Sequence, residues 1–331
     1  MISVIVPAYN SEKTIGNCVE ALMQQDYKMP FEVIVVDDGS KDYTSDAAEE
    51  LGAIVLKQKN AGPAKARNLG ARNANGEILL FTDADCVPEK NWLSEMVKPF
   101  VDQKVIGVQG AYKTRQKSVV ARFNQIEIEE RYEKMKKAKQ LDWVGSYSAA
   151  YRTKDFFEAK GFDESFPKAS GEDPELSYKL AKIGKKLVFN PSAIVYHTHP
   201  ASLLHYLKVK FFRAFFRVNL YSKHKDKVIN DSYTTHWIKF QLIAGYAGIV
   251  FFLFSLVLAI IGQILFAAIF LFLSGLIGAL GLISTLQFTF YAWKKDKAVA
   301  IASLLIIPLR TIAFQLGLIA GFSNYKMRAK K

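Results

Sequence analysis

Three of the carboxylate pairs in this 331-residue sequence stand where they could do chemistry. Asp37-Asp38 precedes Gly39-Ser40, Asp83 and Asp85 flank Ala84, and Glu172-Asp173 follows Gly171. The Asp-x-Asp spacing suits a hard cation. Residues i and i+2 of a strand share a face, so two carboxylates there can hold Mg2+ or Mn2+ together with a diphosphate. Glu172-Asp173 lies just before Pro174. A carboxylate at such a helix start serves as an N-cap or as a base that takes a proton from an attacking hydroxyl. Tyr196-His197-Thr198-His199 sets two imidazoles at i and i+2, a spacing that can share a metal. His199 precedes Pro200 and also suits a turn. Lys65 and Arg67 fall in the first turns of a helix opened by Pro63, where the helix dipole favours anions.

These groups need elements to bring them to one edge. Short apolar runs at Ser3–Val6, Phe31–Val36, Ala53–Leu56 and Ile78–Phe81 predict buried strands. Helical patterns at 14–25, 42–51, 63–73 and 90–101 lie between them, and a further strand is expected at Val105–Gln109. Strands alternating with helices imply an α/β fold with a mostly parallel, Rossmann-like sheet. Ligands of such sheets sit at the carboxyl ends of the strands. Pro7-Ala8-Tyr9-Asn10, Asp37-Asp38 and Asp83-Ala84-Asp85 all fall at those ends. Residues 143–197 return to mixed α/β, with strands near 144–151 and 187–196 and helices near 153–159 and 174–183. The charged helical stretch 115–141 is expected to be a solvated surface helix.

The remainder belongs to another solvent. Residues 202–217 repeat aromatics and cations at helical spacing, as in an amphipathic helix lying in a membrane interface. Leu242–Ile261 and Ile264–Phe290 are long enough and apolar enough to cross a bilayer. Ala298–Phe322 is a third apolar run that contains Pro308 and Arg310. An arginine there requires a partner, a cavity or an interfacial position. Three crossings would place Lys294–Lys297 and the basic tail Lys326–Lys331 on opposite sides, against the positive-inside tendency. A re-entrant bend at Pro308 would bring the tail back. The expected organisation is a catalytic domain at 1–200, an amphipathic juxtamembrane region at 201–239, a membrane region of two or three spans at 240–322 and a basic tail at 323–331.

The net charge of +13 does not mark a nucleic-acid binder. Lys208, Lys210, Arg213, Arg217, Lys223, Lys225, Lys227 and Lys239 cluster beside the apolar region, where anionic lipids attract them. Cys18 and Cys86 form neither a disulfide framework nor a zinc motif, and they fit a reducing compartment. The start at Met1-Ile-Ser-Val-Ile-Val lacks a charged leader, so the first domain is expected to be cytoplasmic in a multi-pass protein of the cell membrane.

Taken in order, Ser3-Val-Ile-Val-Pro-Ala-Tyr-Asn10, Val35-Val-Asp-Asp-Gly-Ser40, Gly62-Pro-Ala-Lys-Ala-Arg-Asn68, Leu80-Phe-Thr-Asp-Ala-Asp85, Gly161-Phe-Asp-Glu164 and Gly171-Glu-Asp173 resemble the inverting family 2 glycosyltransferases, which have the GT-A fold. The resemblance covers about residues 1–200. It implies a nucleotide-sugar donor (UDP or GDP) bordered by Pro7, Ala8 and Asn10, with Asp38 toward the base and Asp37 supporting the loop. It sets Lys65 and Arg67 near the nucleotide, Asp83 near the ribose and Ala84 among the residues that bind the nucleotide sugar. It implies a Mn2+ or Mg2+ ion on Asp85 and Asp83, with His197 as a further ligand. It makes Asp173 the catalytic base and Glu172 a residue that positions the acceptor.

The implied reaction moves a sugar to a hydroxyl of a lipid-linked or saccharide acceptor in envelope glycan synthesis. Two departures bear on it. Ser177-Tyr178-Lys179 stands where many relatives have an arginine, and the Gln-x-x-Arg-Trp of processive synthases is absent, which favours transfer of single sugars. A polyprenyl-phosphate sugar synthase is the nearest alternative. Its acceptor is already ionised and needs no strong base, so Gly171-Glu172-Asp173 leans toward a hydroxyl. A non-catalytic membrane scaffold is a remote alternative, opposed by the intact acidic pairs.

Overall fold

The computed structural model describes residues 1–166, 171–228 and 231–329, the side chains of 326–329 excepted. Lys168, Ala169 and Ser170, part of the acceptor-side stretch, lie outside the described residues, as do Lys330 and Lys331 of the tail. The chain forms two compact units. The first comprises Met1–Arg115, Tyr132–His199 and Leu220–Tyr233, and the second Gln116–Arg131, Pro200–Asn219 and Thr234–Lys331.

The chain order runs β1 (Ile2–Ala8), α1 (Glu12–Met23), β2 (Phe31–Asp37), α2 (Thr44–Glu50), β3 (Ile54–Lys57), α3 (Pro63–Arg72), β4 (Ile78–Thr82), β5 (Cys86–Pro88) and α4 (Trp92–Val97). There follow β6 (Val105–Lys113), α5 (Val119–Lys137), β7 (Ser148–Arg152), α6 (Thr153–Glu158), α7 (Glu172–Lys182) and β8 (Lys186–His197). The helices α8 (Leu203–Lys223), α9 (His236–Ile260), α10 (Ile264–Ile283), α11 (Thr285–Trp293) and α12 (Lys297–Ala329) complete the chain.

The first unit is built on one mostly parallel sheet with strand order β3-β2-β1-β4-β7-β6-β8-β5. Val4, Ile5 and Val6 of β1 are fully buried, as a β-branched run between two covered faces must be. Strands β2 and β4 flank β1 in parallel register, so Ala8, Asp37 and Thr82 end together at the carboxyl edge. Beyond β4 the sheet takes β7 in antiparallel register. Strand β8 then lies parallel to β6, and β5 lies antiparallel on β8. Strand β5 has no counterpart in the sequence reading, because Cys-Val-Pro is too short to show a period.

In the second unit, α9 and α10 form an antiparallel pair. Ser274 Oγ donates to the Gly248 carbonyl at 2.8 Å, and the Phe254 and Phe270 rings meet edge to face at 4.7 Å between centroids. Three stretches, His236–Ile260, Ile264–Trp293 and Lys297–Tyr325, are helical, long enough and apolar enough to cross a membrane. Helix α12 continues through Pro308.

The structure corrects the expectation for 115–141. Phe123, Ile126, Glu127, Ile128 and Arg131 of α5 are buried, so this is a packed helix and not a solvated one. Its weak amphipathic pattern arises because Glu127 and Arg131 sit on the covered face, where a polar residue is normally not expected. Helix α8 buries Tyr206, Lys210 and Ala214 and keeps Leu204, Lys208, Phe212 and Arg213 outward.

Candidate active site

The loop after β2 is set by its own carboxylates. Asp37 Oδ1 accepts the Ser40 N–H at 2.8 Å, and Oδ2 accepts the Ser45 hydroxyl at 2.5 Å. Burial acts to raise its pKa, but the bonds from Ser40 and Ser45 outweigh it and hold Asp37 below the ordinary carboxylate range. Asp38 takes the Ala61 and Gly62 N–H groups at 2.7 and 2.8 Å and the Gln58 amide at 2.7 Å. Both its oxygens are thus engaged in fixing the turn that opens α3. Gly39 adopts φ +80°, and a Cβ there would come within 2.9 Å of Asn60 N, so glycine is required for this close approach. Asn10, exposed and left-handed at φ 49°, accepts the Lys41 N–H and donates its own N–H to Ser40. Pro7, Ala8 and Asn10 therefore lie at the same carboxyl edge of the sheet as Asp37 and Asp38.

Helix α3 sets Lys65 and Arg67 in different surroundings. Lys65 is exposed, whereas Arg67 is buried. Arg67 Nη2 donates to Asp83 Oδ1 at 2.9 Å, and Nη1 to Glu172 Oε1 at 2.9 Å, with Asp173 Oδ1 3.8 Å away. Arg67 thus ties the β4 end to the α7 start. Burial disfavours its charge, but Asp83, Asp173 and Glu172 win and keep the guanidinium fully charged. Replacing it with methionine leaves Glu172, 1% exposed, without its cation. Removing one partner of a buried pair costs about 3–5 kcal/mol. Arg67→Met should lower the melting temperature of this unit by roughly 10 °C. A shift of under a few degrees in a thermal melt would show that the arginine serves ligand contacts only.

The Asp83-Ala84-Asp85 turn closes with the Cys86 N–H on the Asp83 carbonyl at 3.0 Å. One ligand atom each from Asp83, Asp85 and Cys86 lie within 4.8 Å of one another. Because Cys86 pairs with His197 across β5 and β8, His197 Nε2 comes to 3.2 Å from Asp85 Oδ2. His197 Nδ1 lies 3.0 Å from His199 Nδ1. The Tyr112 ring, stacked on Tyr147 at 3.5 Å, backs His197 at 4.6 Å. These groups fit a divalent cation: two carboxylates share one turn, and the His197 imidazole reaches Asp85 from β8. Burial, with the charges of Asp83 and Asp85, pushes the Cys86 thiol well up, so its sulfur stays protonated and the donors are oxygen and nitrogen.

Asp173 is unlike its neighbours. Its Oδ2 accepts the Ser146 N–H at 3.1 Å, while Oδ1 accepts no hydrogen bond among the described residues. Burial, then the Glu172 charge, raise its pKa. Arg67 and the Ser146 N–H oppose them, and the result is about 7. Neither side chain serves as the N-cap: the α7 cap is Gly171, with no side-chain hydrogen bond. A carboxylate with an oxygen that no hydrogen-bond donor occupies and a pKa near neutrality is suited to taking a proton. Ser146 was not expected from sequence, since a backbone N–H from a distant loop leaves no motif.

Residues 3–158 match the Glycosyl transferase family 2 domain. Glycosyltransferase GlyA of Streptococcus pneumoniae is 27% identical over 221 residues, which is 61% of this chain and 31% of that protein. The pre-mycofactocin glycosyltransferase of Mycobacterium tuberculosis is 26% identical over 259 residues, covering 74% of this chain and 53% of the relative. The chain thus spans between a third and about half the length of these curated relatives. Among solved structures, mannosyltransferase PcManGT of Pyrobaculum calidifontis, in complex with GDP-Man and Mn2+, superposes with a TM-score of 0.60 at 22% identity. That similarity covers 97% of this chain and 86% of PcManGT. The glycosyltransferase expectation is met at the level of fold and domain: this chain carries a Glycosyl transferase family 2 domain of GT-A-like fold, followed by C-terminal apolar helices.

Proposed function

We propose that the protein is a membrane-bound inverting glycosyltransferase that moves a sugar from a UDP- or GDP-sugar to a hydroxyl of a lipid-linked or saccharide acceptor, with its catalytic unit on the cytoplasmic face. The observation that carries the reading is Asp173, with an Oδ1 that accepts no hydrogen bond among the described residues and a raised pKa, joined to Asp83 through Arg67. Pro7, Ala8, Asn10, Lys65 and Ala84 border the donor, while Asp37 and Asp38 shape the loop that receives its nucleoside. Asp83, Asp85 and His197 would hold Mn2+ or Mg2+. When bound, the ion supplies positive charge for the diphosphate.

Asp173 accepts the proton of the acceptor hydroxyl as that oxygen forms the new glycosidic bond. The bond to the diphosphate breaks on the opposite face, and the anomeric configuration inverts. Glu172 is held by Arg67 and by the Gly171 N–H at 3.0 Å, so it positions the α7 start and with it the acceptor. The membrane assignment is supported by the three long apolar helices.

The test is direct. Full-length protein in lipid discs, given a panel of UDP- and GDP-sugars with Mn2+ or Mg2+, should release nucleoside diphosphate only when metal is present. Polyprenyl phosphate and polyprenyl-diphosphate sugar should be offered as acceptors, and the latter should be preferred. Absence of metal-dependent nucleotide binding and of turnover with every donor would overturn the enzyme reading.

A further inference from the structure

We infer that α12 is not a third crossing: it lies in the membrane interface along α5 and α8, with one apolar face turned to the acyl chains. The chain then crosses the bilayer twice, and its basic end returns to the side of Lys294–Lys297. This rests on the membrane-bound reading above and adds its topology.

The three apolar helices differ in their surroundings. Within the 18-residue apolar core of each helix, only 11% of the residues are buried in His236–Ile260 and 6% in Ile264–Trp293, against 50% in Lys297–Tyr325. The first two therefore present nearly their whole surface to a solvent that must be lipid, and they pair with each other from Ala244–Gly281 to Phe254–Phe270. Helix α12 is accompanied instead by two helices too polar for hydrocarbon.

At its start, Asp296 binds Arg122 of α5 at 2.8 Å, and Lys295 binds Glu129. Val299, Ala300, Ile306 and Ile307 then pack with Phe123 of α5 and Tyr206 of α8. Farther along, Arg310 Nη1 donates to Glu127 Oε1 at 2.7 Å, and Lys210 of α8 binds the other oxygen at 2.6 Å. A Cβ on Gly317 would meet the Phe211 carbonyl at 2.3 Å, and one on Gly321 the Phe215 carbonyl at 2.4 Å. The Gly317-x-x-x-Gly321 spacing thus lets α12 lie directly on the α8 backbone. Charged partners follow α12 from residue 296 to 310, and α8 continues to 321. A spanning helix has about 20 residues in hydrocarbon, where such companions are costly.

Contacts with α9 agree. Gln241 accepts from Arg310 at 2.6 Å, Gln315 donates to the Leu242 carbonyl at 3.1 Å, and Tyr246 donates to the Gln315 carbonyl at 2.9 Å. Ile238 packs with Phe314. These contacts all fall on the first turns of α9, within about 15 Å of its start at 1.5 Å per residue. A helix that crossed beside α9 would follow it further.

The outward stripe of α12 is apolar throughout: Ile301, Leu304, Leu305, Ile312, Leu316, Ile319 and Phe322. Its covered face holds Ser303, Arg310 and Gln315. Outward Lys208 and Arg213 on α8 supply the positive charge that an anionic headgroup layer attracts. Arg310 therefore needs no aqueous cavity, since its partners are protein carboxylate and amide.

Two measurements on the full chain test this. Single cysteines at Gln263→Cys, Lys294→Cys and Lys331→Cys are labelled in sealed vesicles with a membrane-impermeant maleimide; native Cys18 and Cys86 are buried. Lys294→Cys and Lys331→Cys should label from one side and Gln263→Cys from the other. Spin labels at Leu305, Ile312 and Ile319 should report one common depth, whereas a spanning helix would separate successive labels by about 10 Å. Label at Lys331→Cys from the Gln263→Cys side, or graded depths, would overturn the inference. All three cysteines on one side, with protein released by alkaline carbonate, would instead sink the membrane-spanning reading, and the inference with it.

Discussion

Asp173→Asn should lower sugar transfer by roughly two to four orders of magnitude while leaving donor affinity near wild type. General base catalysis contributes about that much, and the amide keeps the size of the carboxylate without its ability to accept a proton. The site supplies the reason that a base is needed here and not elsewhere. Glu172 is buried and bound to Arg67, Asp37 and Asp38 have both oxygens engaged by N–H and hydroxyl donors, and Asp83 faces Arg67. Among the described residues, Asp173 is the one of these carboxylates with a buried oxygen that accepts no hydrogen bond. The pH profile should follow its pKa of about 7, with kcat/KM rising with pH through that value as the carboxyl loses its proton.

Stability should move the other way. The folded carboxyl keeps its proton at pH values where the unfolded one, with an ordinary pKa of 3.8, has lost it. The folded state then binds more protons, and this group's contribution falls as pH rises from about 4 to about 7. Asp173→Asn should therefore be at least as stable as wild type at neutral pH. If the residue's role were capping, asparagine would serve about equally well and activity would persist. Wild-type turnover in this variant, or retained anomeric configuration in the product, would refute the mechanism.

Asp85→Ala should reduce activity by about a thousandfold or more and abolish the Mn2+ dependence of nucleoside-diphosphate binding. A metal contributes several kcal/mol of charge stabilisation, and about 1.4 kcal/mol corresponds to a factor of ten. Asp85 has no structural bond comparable with the Arg67–Asp83 pair. Its carboxylate is 45% exposed and faces His197. Its loss should therefore leave the fold intact, and calorimetric titration of UDP and GDP with and without Mn2+ reads the effect separately from turnover. Metal-dependent binding unchanged in Asp85→Ala would mean that the Asp-x-Asp is a polar turn.

Much of the first unit was legible because its signals are local. The runs Ile2–Ala8 and Ile78–Thr82 are buried strands as their apolar continuity requires, and the acidic residues after them reach the carboxyl edge because parallel strands end together. Pro63 marks the start of α3 through its own fixed φ. What stayed hidden depends on partners remote in sequence. Arg67 reads as a nucleotide contact in an isolated helix start, and only the fold brings Asp83, Glu172 and Asp173 around it. Strand β5 is too short for periodicity, yet it sets His197 against Asp85.

In the second unit, hydropathy located every apolar helix, since length and composition alone decide whether a segment can cross a bilayer. The same composition says nothing of what lies beside a helix. Helix α5 looked solvated because Glu127 and Arg131 are charged, and Arg310 looked stranded in an apolar run. Only tertiary packing showed that Glu127 is shared as an ion-pair partner by Arg310, Arg131 and Lys210. A buried charge is stabilised by particular neighbours, and those neighbours are set by the folding of the chain, not by its local pattern.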